Sequence, residues 1–475
     1  TRSTAARISE YVSTLARALG ASRRWFGLIR PPVPGGRGPE KGAEMRNYEG
    51  DHVVISGMGA ILANAGSCEE AWRNLLKGHC GVDRFDYTGT DGLLHTALAA
   101  QTRDTDYRAL LPDLSERHLR KCSRDILVTM AAAEMAVRDA CLCGETPSIS
   151  ATIEPGRAAI YASTSRGPLQ WWHQHYTTSG IDCGGALQPH DGILASMAGS
   201  PATMTAIRLG VVGEVLTLSN ACIGGHQALR LGMDSIASGR NDVAIVIGHE
   251  FPIVPGVLDI YSAEKTCVLS RAVAAPNGAM KPYDVNRDGF VLGEGAVVLV
   301  LERQNRVRAR GMSGYAVIED VMSASEAAHP TRMDTSGSFM AKMVEQLLAR
   351  NGKTPRHVQY VCGHGTATRL NDLAEARALT RLYGEDPRTS PPLTSIKPVF
   401  GHLLGASSLL NCMATALMIK NQVIAPTANC AEPDPECPQD HVTGGPRETS
   451  IENALSFAFA IGSLSSVTLM RRVGD

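Results

Sequence analysis

Four side chains carry most of the chemistry this sequence can offer: Cys222, His364, Lys397 and His402. Cys222 stands in Val215-Leu216-Thr217-Leu218-Ser219-Asn220-Ala221-Cys222-Ile223-Gly224-Gly225-His226, after a short apolar, β-branched run. Beyond it, Ala228, Leu229, Leu231, Met233 and Ile236 fall at helical spacing, and Gly239 marks a helix end. The pattern predicts strand, tight turn, helix. A side chain at such a turn stands beside unpaired backbone N–H groups and the positive end of the helix dipole. Both favour a thiolate over a thiol, and so make a nucleophile of cysteine. Gly224 and Gly225 would let a substrate approach the backbone there. A lone cysteine before a helix is more often a small buried hydrophobe, so its weight here comes from residues further along the chain.

Those residues sit where strands should end, in His364-Gly365-Thr366-Ala367-Thr368 and in Ser395-Ile396-Lys397-Pro398-Val399-Phe400-Gly401-His402-Leu403-Leu404-Gly405. α/β proteins place their sites at the carboxyl ends of parallel strands. Cys222, His364, Lys397 and His402 are therefore expected to converge on one pocket. Any one of these histidines alone would more often be structural; their joint placement is what counts.

The elements that must position these groups alternate. Strands are expected near 53–57, 158–162, 243–247, 296–301, 358–362, 393–396, 455–459 and 466–470. Helices are expected at 69–77, with Ser67 as N-cap, and at 116–140, 194–209, 336–350, 372–382 and 402–420. Such alternation argues for an α/β fold of parallel sheets covered on both faces. Two stretches of similar element order, 51–285 with the cysteine and 286–475 with the two histidine motifs, suggest a duplicated unit. Residues 1–50 differ in character. Ile8, Val12, Leu15 and Leu19 lie at helical spacing, and Arg23-Arg24-Trp25-Phe26 leads into a Pro/Gly-rich linker at 31–38. They read as an extension: the last helix of a preceding domain, a docking helix, a basic targeting peptide, or a segment without chemistry.

Composition narrows the classes. With 475 residues, 44% hydrophobic and 20% charged, the chain is an ordinary globular sequence too long for one small core. A formal net charge of −1 gives no whole-chain electrostatic case for nucleic acid or an anionic membrane. The 12 cysteines are scattered, with no Cys-x-x-Cys pair and no zinc-like spacing. They read as reduced, in a cytoplasmic protein with no metal site. No apolar run approaches about 18 residues, so no membrane span is expected.

Beside these motifs stand Lys281-Pro282-Tyr283-Asp284, Arg287-Asp288-Gly289-Phe290-Val291-Leu292-Gly293-Glu294-Gly295-Ala296, the pair Asp372 and Glu375, and Phe457-Ala458-Phe459 near the end. In that order they resemble the β-ketoacyl-(acyl carrier protein) synthases, elongating condensing enzymes of type II fatty acid and polyketide synthesis in the thiolase superfamily. The resemblance covers about residues 50–472. It implies a thiolase-like fold of two duplicated α/β halves in α-β-α-β-α layers. It also implies a decarboxylative Claisen condensation of an acyl thioester with malonyl-acyl carrier protein. Cys222 would then take the acyl chain, and His364 and His402 would stabilise the enolate left when carbon dioxide departs, as preorganised donors can. Backbone N–H groups of Cys222 and Phe457 would form a second oxyanion hole, with Phe457 and Phe459 in the gating loop. Lys397 would hold the histidine region, Glu375 would anchor Lys397 or a nearby loop with Asp372 beside it, and Thr366 and Thr368 would bind the phosphopantetheine arm. The resemblance implies no cofactor beyond that carrier arm. Its expected partners are an acyl carrier protein and an identical or related ketosynthase-like chain in a dimer.

Departures from the family pattern predict a narrow or unusual acyl group. Ala458, Ala460 and Ile461 stand where the family has glycines, Ile223 follows the nucleophile, and Phe400 precedes Gly401-His402. The run Trp171-Trp172-His173-Gln174-His175-Tyr176 is unusual as well, and suits an acyl tunnel, a dimer surface or plain packing. Two competing functions remain: an acyltransferase that uses Cys222 without decarboxylation, and a chain-length-factor-like partner subunit. The presence of both histidines weighs against the first, and Cys222 weighs against the second.

Overall fold

Runs such as Val243–Glu250 and Gly295–Arg303 are apolar along nearly their whole length and are buried on both faces, as strands between two helical layers must be. The computed structural model describes residues 51–474 apart from 103–105, 150, 155, 179–191, 265–266 and 331–332. The chain divides into Thr1–Asn47 and Tyr48–Asp475, and the extension read at 1–50 lies outside the described residues.

Ten strands form the main sheet. The first five are β1 (Val53–Leu62), β2 (Ala158–Ser163), β3 (Val215–Leu218), β4 (Val243–Glu250) and β5 (Gly295–Arg303), and they lie in the order β3-β2-β4-β5-β1. The next five are β6 (Val317–Ser325), β7 (Tyr360–Cys362), β8 (Leu393–Thr394), β9 (Asn453–Ala460) and β10 (Leu464–Arg471), in the order β8-β7-β9-β10-β6. The two orders are the same, and so are the directions. In each set the second strand runs parallel to the third and fourth, and the fifth runs antiparallel to the fourth and first. The sets meet where β1 and β6 pair antiparallel at Val54 and Val317, flanked by hydrogen bonds from Ile55 N to the Ala316 carbonyl and from Tyr315 N to the Ile55 carbonyl. The chain is thus a duplicated α/β unit. The first repeat includes β5, which lies beyond residue 285, where the sequence pattern divided the halves. Pairing is mixed rather than parallel throughout, because burial on both faces leaves the same apolar run whichever way the neighbour points.

The helices lie on and between these strands. α1 (Arg124–Asp139) lies against β1 and β5. It comes so close that a Cβ on Gly59 would stand 1.9 Å from the Ala132 carbonyl oxygen. α2 (Gly224–Ala237) contacts strands of both repeats, and α5 (Ser407–Asn421) packs on it from the other repeat. α5 is buried continuously from Ser407 to Ile419, as a helix covered on every side must be. α3 (Ser338–Arg350) and α4 (Arg369–Tyr383) pack together, and α3 covers β6 and β10 of the second repeat.

Three predicted helices differ in extent. The stretch at 116–140 breaks into Glu116–Lys121 and Arg124–Asp139. That at 194–209 becomes Gly192–Ala195 and Ser200–Leu209, the second opened by Pro201 in its first turn. That at 402–420 starts only at Ser407, after a single turn at Leu404–Ala406. The Ser67 cap forms as expected, its hydroxyl accepting from Glu70 N at 3.2 Å. Among the described residues no helix is long and apolar enough to cross a membrane.

Candidate active site

The duplicated topology brings equivalent turns together. Cys222 follows β3, the third strand of its repeat, on a single turn at Ala221–Ile223 that runs straight into α2. Ala221 takes φ 45°, a left-handed conformation that costs a non-glycine residue energy and marks a sharp, functional turn. Lys397 and His402 follow β8, the third strand of the other repeat, with Lys397 opening the short helix Lys397–Phe400. Cys222 Sγ stands 3.3 Å from His402 Nε2. His364 follows β7, and its ring meets that of His402 edge-on, centroids 5.2 Å apart at 81°. One ligand atom from each of Cys222, His364 and His402 falls within 4.8 Å of the others. Of the four residues expected to converge on one pocket, Cys222, His364 and His402 do so, while Lys397 lies behind them against the His364 backbone and off the cavity wall; all four are buried.

Gly224 and Gly225 serve a different purpose from the one predicted. A Cβ on Gly224 would stand 2.2 Å from Ser163 Oγ, and one on Gly225 would stand 2.6 Å from Leu409 N. The glycines admit neighbouring protein, not substrate, and they let α2 seat against the other repeat.

The electrostatics also differ from the sequence expectation. Burial pushes the Cys222 thiol up to about 12, with Glu250 adding to the rise, while Lys397, Arg166 and the local backbone pull it down. Desolvation thus outweighs the helix N-terminus, and the resting pair is thiol and imidazole. Burial, then the Lys397 charge, holds both His364 and His402 well below the usual histidine range. Two neutral imidazoles result, each able to donate one N–H and accept at the other nitrogen.

Around them lies a buried polar frame. Lys397 Nζ donates to the His364 carbonyl oxygen, and burial lowers its pKa. Glu375 accepts from the backbone N–H groups of His364 at 2.8 Å and Gly365 at 2.7 Å, from Asn371 Nδ2 at 2.6 Å and from Tyr283 Oη at 3.0 Å. It anchors the histidine loop directly and makes no ion pair with Lys397. Burial and then the neighbouring Asp372 raise it to about 7. Asp372, itself raised by burial to about 6, accepts from Tyr283 N at 2.9 Å and lies 3.7 Å from Arg287. Thr366 and Thr368 join hydroxyls at 2.8 Å on the cavity wall.

That cavity, about 410 Å³, is lined by all three reactive residues and by Phe290, Leu404 and Phe459 among others. Phe290 meets the His402 ring edge-on at 5.1 Å. The loop expected to gate the cavity contributes Phe459, Ala460 and Ile461 to its lining. Phe457 does not reach the cavity: it is buried in an apolar cluster with Tyr283 and Leu455, and its carbonyl accepts from Asn411. Strand alternation puts Phe457 and Phe459 on one face, and both join the same apolar cluster, but only Phe459, nearer the strand's end, lines the cavity. Phe400 packs in the main core, and neither Ile223 nor Ala458 lines the cavity, so the predicted bulk around the thiol reduces to Ala460 and Ile461. A larger cavity, about 720 Å³, opens elsewhere around Asn64, His79, Arg84 and Arg124 and holds none of the reactive trio. Trp171 and Trp172 stack edge-on at 4.9 Å in the helix Leu169–Thr178, away from the thiol cavity.

Sequence reasoning missed Arg166, Tyr261, Glu250 and the cavity role of Phe290. Glu250 accepts from Ser165 N at 2.7 Å, Arg166 N at 3.2 Å and Gly405 N at 2.8 Å, stitching the two repeats beside the thiol. Both Arg166 and Glu250 lie at the carboxyl ends of buried strands, the position that drew notice to the histidines.

Comparison with known proteins agrees with this geometry. The chain matches the family models "Beta-ketoacyl synthase, N-terminal domain" over residues 50–306 and "Beta-ketoacyl synthase, C-terminal domain" over 315–431. It is 30% identical over 438 residues to the tetracenomycin polyketide synthase ketoacyl synthase alpha subunit of Streptomyces glaucescens, covering 90% of this chain and 99% of that one. It is 29% identical over 428 residues to the 3-oxoacyl-[acyl-carrier-protein] synthase 2 of Coxiella burnetii, covering 89% and 99%. Among solved structures it superposes with TM-score 0.76 at 28% identity on a type II PKS acyl-carrier protein in complex with its ketosynthase bound to the hexaketide, covering 89% of this chain and 100% of that one. It superposes with TM-score 0.77 at 26% identity on the ishigamide ketosynthase/chain length factor, again covering 89% and 100%.

Proposed function

The chain belongs to the β-ketoacyl synthase family, and from that premise we propose how its residues carry out a decarboxylative condensation. The single observation that carries the assignment is the meeting of Cys222, His364 and His402 within 4.8 Å at one end of a cavity. In the first step Cys222 Sγ attacks the carbonyl of an acyl thioester. Its proton passes to His402 Nε2 and on to the departing carrier sulfur, so one thioester replaces another. Backbone N–H groups at the start of the Cys222 turn receive the developing oxyanion, with the Phe459 segment opposite; Phe457 is buried behind it.

In the second step a malonyl thioester loses carbon dioxide. The electron pair of the broken C–C bond becomes an enolate, whose oxygen receives N–H groups from His364 and His402. Its carbon attacks the acyl-cysteine, the C–S bond breaks, and the leaving Cys222 thiolate takes up a proton from water, giving a β-ketoacyl thioester and carbon dioxide. Neutral imidazoles suit this task, since they donate without holding the malonyl carboxylate as an ion pair. Lys397 and Glu375 hold His364 by its own backbone, and Thr366 and Thr368 face the phosphopantetheine arm.

The substrates ride on the arm of an acyl carrier protein, and no cofactor is required beyond it. The partner chain, identical or related, pairs along the β3 edge, where Val215 and Leu216 are more than a third exposed at the end of the sheet. We place the protein in the cytoplasm, where thiols such as its described cysteines, all free, stay reduced. The test is intact-protein mass after incubation with acyl carriers, followed by carbon dioxide release on adding malonyl carrier. Acyl mass on Cys222 followed by release supports condensation. Stable loading without release would make the protein an acyltransferase.

A further inference from the structure

The loop after β2 carries a side chain that the condensation leaves unused. Arg166 lines the same cavity as Cys222. Its backbone N–H is taken by Glu250, which fixes the loop, and its Nη2 donates to Tyr261 Oη. Its Cζ lies 5.2 Å from the centre of the Tyr261 ring. Among the described residues no carboxylate stands within ion-pair distance of the guanidinium. The Arg166 side chain is exposed, so four of the five N–H donors of this planar fork are open to solvent and to an incoming acceptor. The cavity it lines is apolar at Phe290, Leu404 and Phe459 and polar at Ser165 and Tyr261. An arginine fork in such surroundings is suited to bidentate recognition of a carboxylate.

The internal repeat says which end of a substrate this fork meets. Cys222 and His402 follow equivalent strands and touch at 3.3 Å, so the approximate two-fold between the repeats passes beside them. The loop after β2, with Arg166, is the counterpart of the loop after β7, with His364 and Thr366. Both loops line the cavity that holds the thiol, and the repeat relation sets them on opposite sides of the approximate two-fold. If the carrier arm lies along Thr366 and Thr368, Arg166 meets the acyl chain beyond Cys222. It is ill suited to the malonyl carboxylate, because an ion pair there would stabilise the ground state and oppose loss of carbon dioxide.

We propose that Arg166 is a specificity-determining residue that selects acyl groups bearing a second carboxylate on the chain carried by Cys222. The assignment rests on the acyl-cysteine intermediate of the proposed function. The test is the rate of Cys222 loading, followed by intact mass with no malonyl carrier present. Three pantetheine thioesters of matched size serve as donors: glutaryl, its neutral methyl-ketone analogue and its isopropyl analogue. The parent protein should load glutaryl about tenfold to a hundredfold faster than the isopropyl analogue, the range of a charged hydrogen bond. Arg166→Met should bring that ratio close to one, and Arg166→Lys, which keeps the charge but not the fork, should retain part of it. Glutaryl and isopropyl analogues loading equally on the parent, or a preference that survives Arg166→Met, would overturn the proposal while leaving condensation intact. A preference for the methyl ketone over glutaryl would also overturn it, in favour of carbonyl recognition. Absence of loading with every donor would instead sink the acyl-cysteine mechanism, and the proposal with it.

Discussion

After its third strand the first repeat turns through a left-handed Ala221 into Cys222, while the second turns through Lys397 to His402. After its second strand the first repeat presents Ser165 and Arg166, held by Glu250; the second presents His364 and Gly365, held by Glu375. Each repeat thus secures the loop beside its reactive turn with one fully buried carboxylate that accepts consecutive backbone N–H groups. The frames then diverge. Glu250 also takes a backbone N–H, that of Gly405, from across the repeat boundary, whereas Glu375 takes a side-chain hydroxyl, that of Tyr283, from across it and sits beside Asn371 and Asp372 of its own half. Duplication therefore supplied the scaffold and the clamps, and the chemistry came from which side chain stands at the tip of each loop.

The largest way to break that comparison is to remove the first repeat's tip. Cys222→Ala should abolish the acyl adduct in intact mass, with the melting transition little changed, since a small buried side chain is exchanged for another. Next in size are the second repeat's tips. Each oxyanion donor is worth about 10² to 10³ in rate, so His364→Ala and His402→Ala should each slow carbon dioxide release by that order. They should differ at loading, because only His402 touches Sγ. His364→Ala should load at close to the parent rate, and His402→Ala should load slowly. Equal loading defects in a stopped-flow acylation assay would erase the division between the two histidines.

A smaller effect separates the clamps. Glu250→Ala leaves the N–H groups of Ser165, Arg166 and Gly405 unpaired, and Glu375→Ala leaves those of His364 and Gly365. Each buried orphan costs about 1–3 kcal/mol. Denaturant unfolding should show both variants destabilised. Removing Glu250 should also slow acylation, since it frees the thiol's own loop, while removing Glu375 should act on decarboxylation. Matching kinetic defects would mean that the clamps serve the fold alone.

Much of this was legible in the chain because it depends on local pattern. Buried strands announce themselves as apolar runs, so β1, β4, β5, β9 and β10 fall near their expected places, and the reactive residues lie at strand ends where loops are free to carry function. What was not legible depends on through-space neighbours. Gly224 and Gly225 read as openings for substrate because the sequence cannot show Ser163 and Leu409 lying against them. Phe400 and Ile223 read as bulk near the thiol, yet which face of a turn meets the cavity is decided by packing, and the core claims Phe400. Arg166 passed unnoticed because an isolated arginine after a strand is ordinarily a solvated charge. Its place on the wall of the thiol cavity, with no carboxylate partner among the described residues, is what makes it informative.

The smallest predicted effect decides between the sequence expectation and the structure at Cys222 itself. A helix N-terminus and the Lys397 charge favour the thiolate, and burial opposes them; burial wins, placing the thiol at about 12. Alkylation requires the thiolate. Below its pKa a thiol's thiolate fraction grows tenfold per pH unit, so iodoacetamide modification of Cys222, read by peptide mass, should still be climbing at pH 10. A free small thiol, with an ordinary pKa of about 8.5, should already level off. The sign follows from the direction of the shift. A thiol raised on folding contributes stability that is fully present below its ordinary pKa and is lost as pH climbs from there through the folded value, so the folded protein should show no stability change from this group near neutrality. A plateau in alkylation between pH 7 and 8 would mean that the dipole and Lys397 overcome desolvation. The nucleophile would then rest as a thiolate, and His402 would have no proton to take.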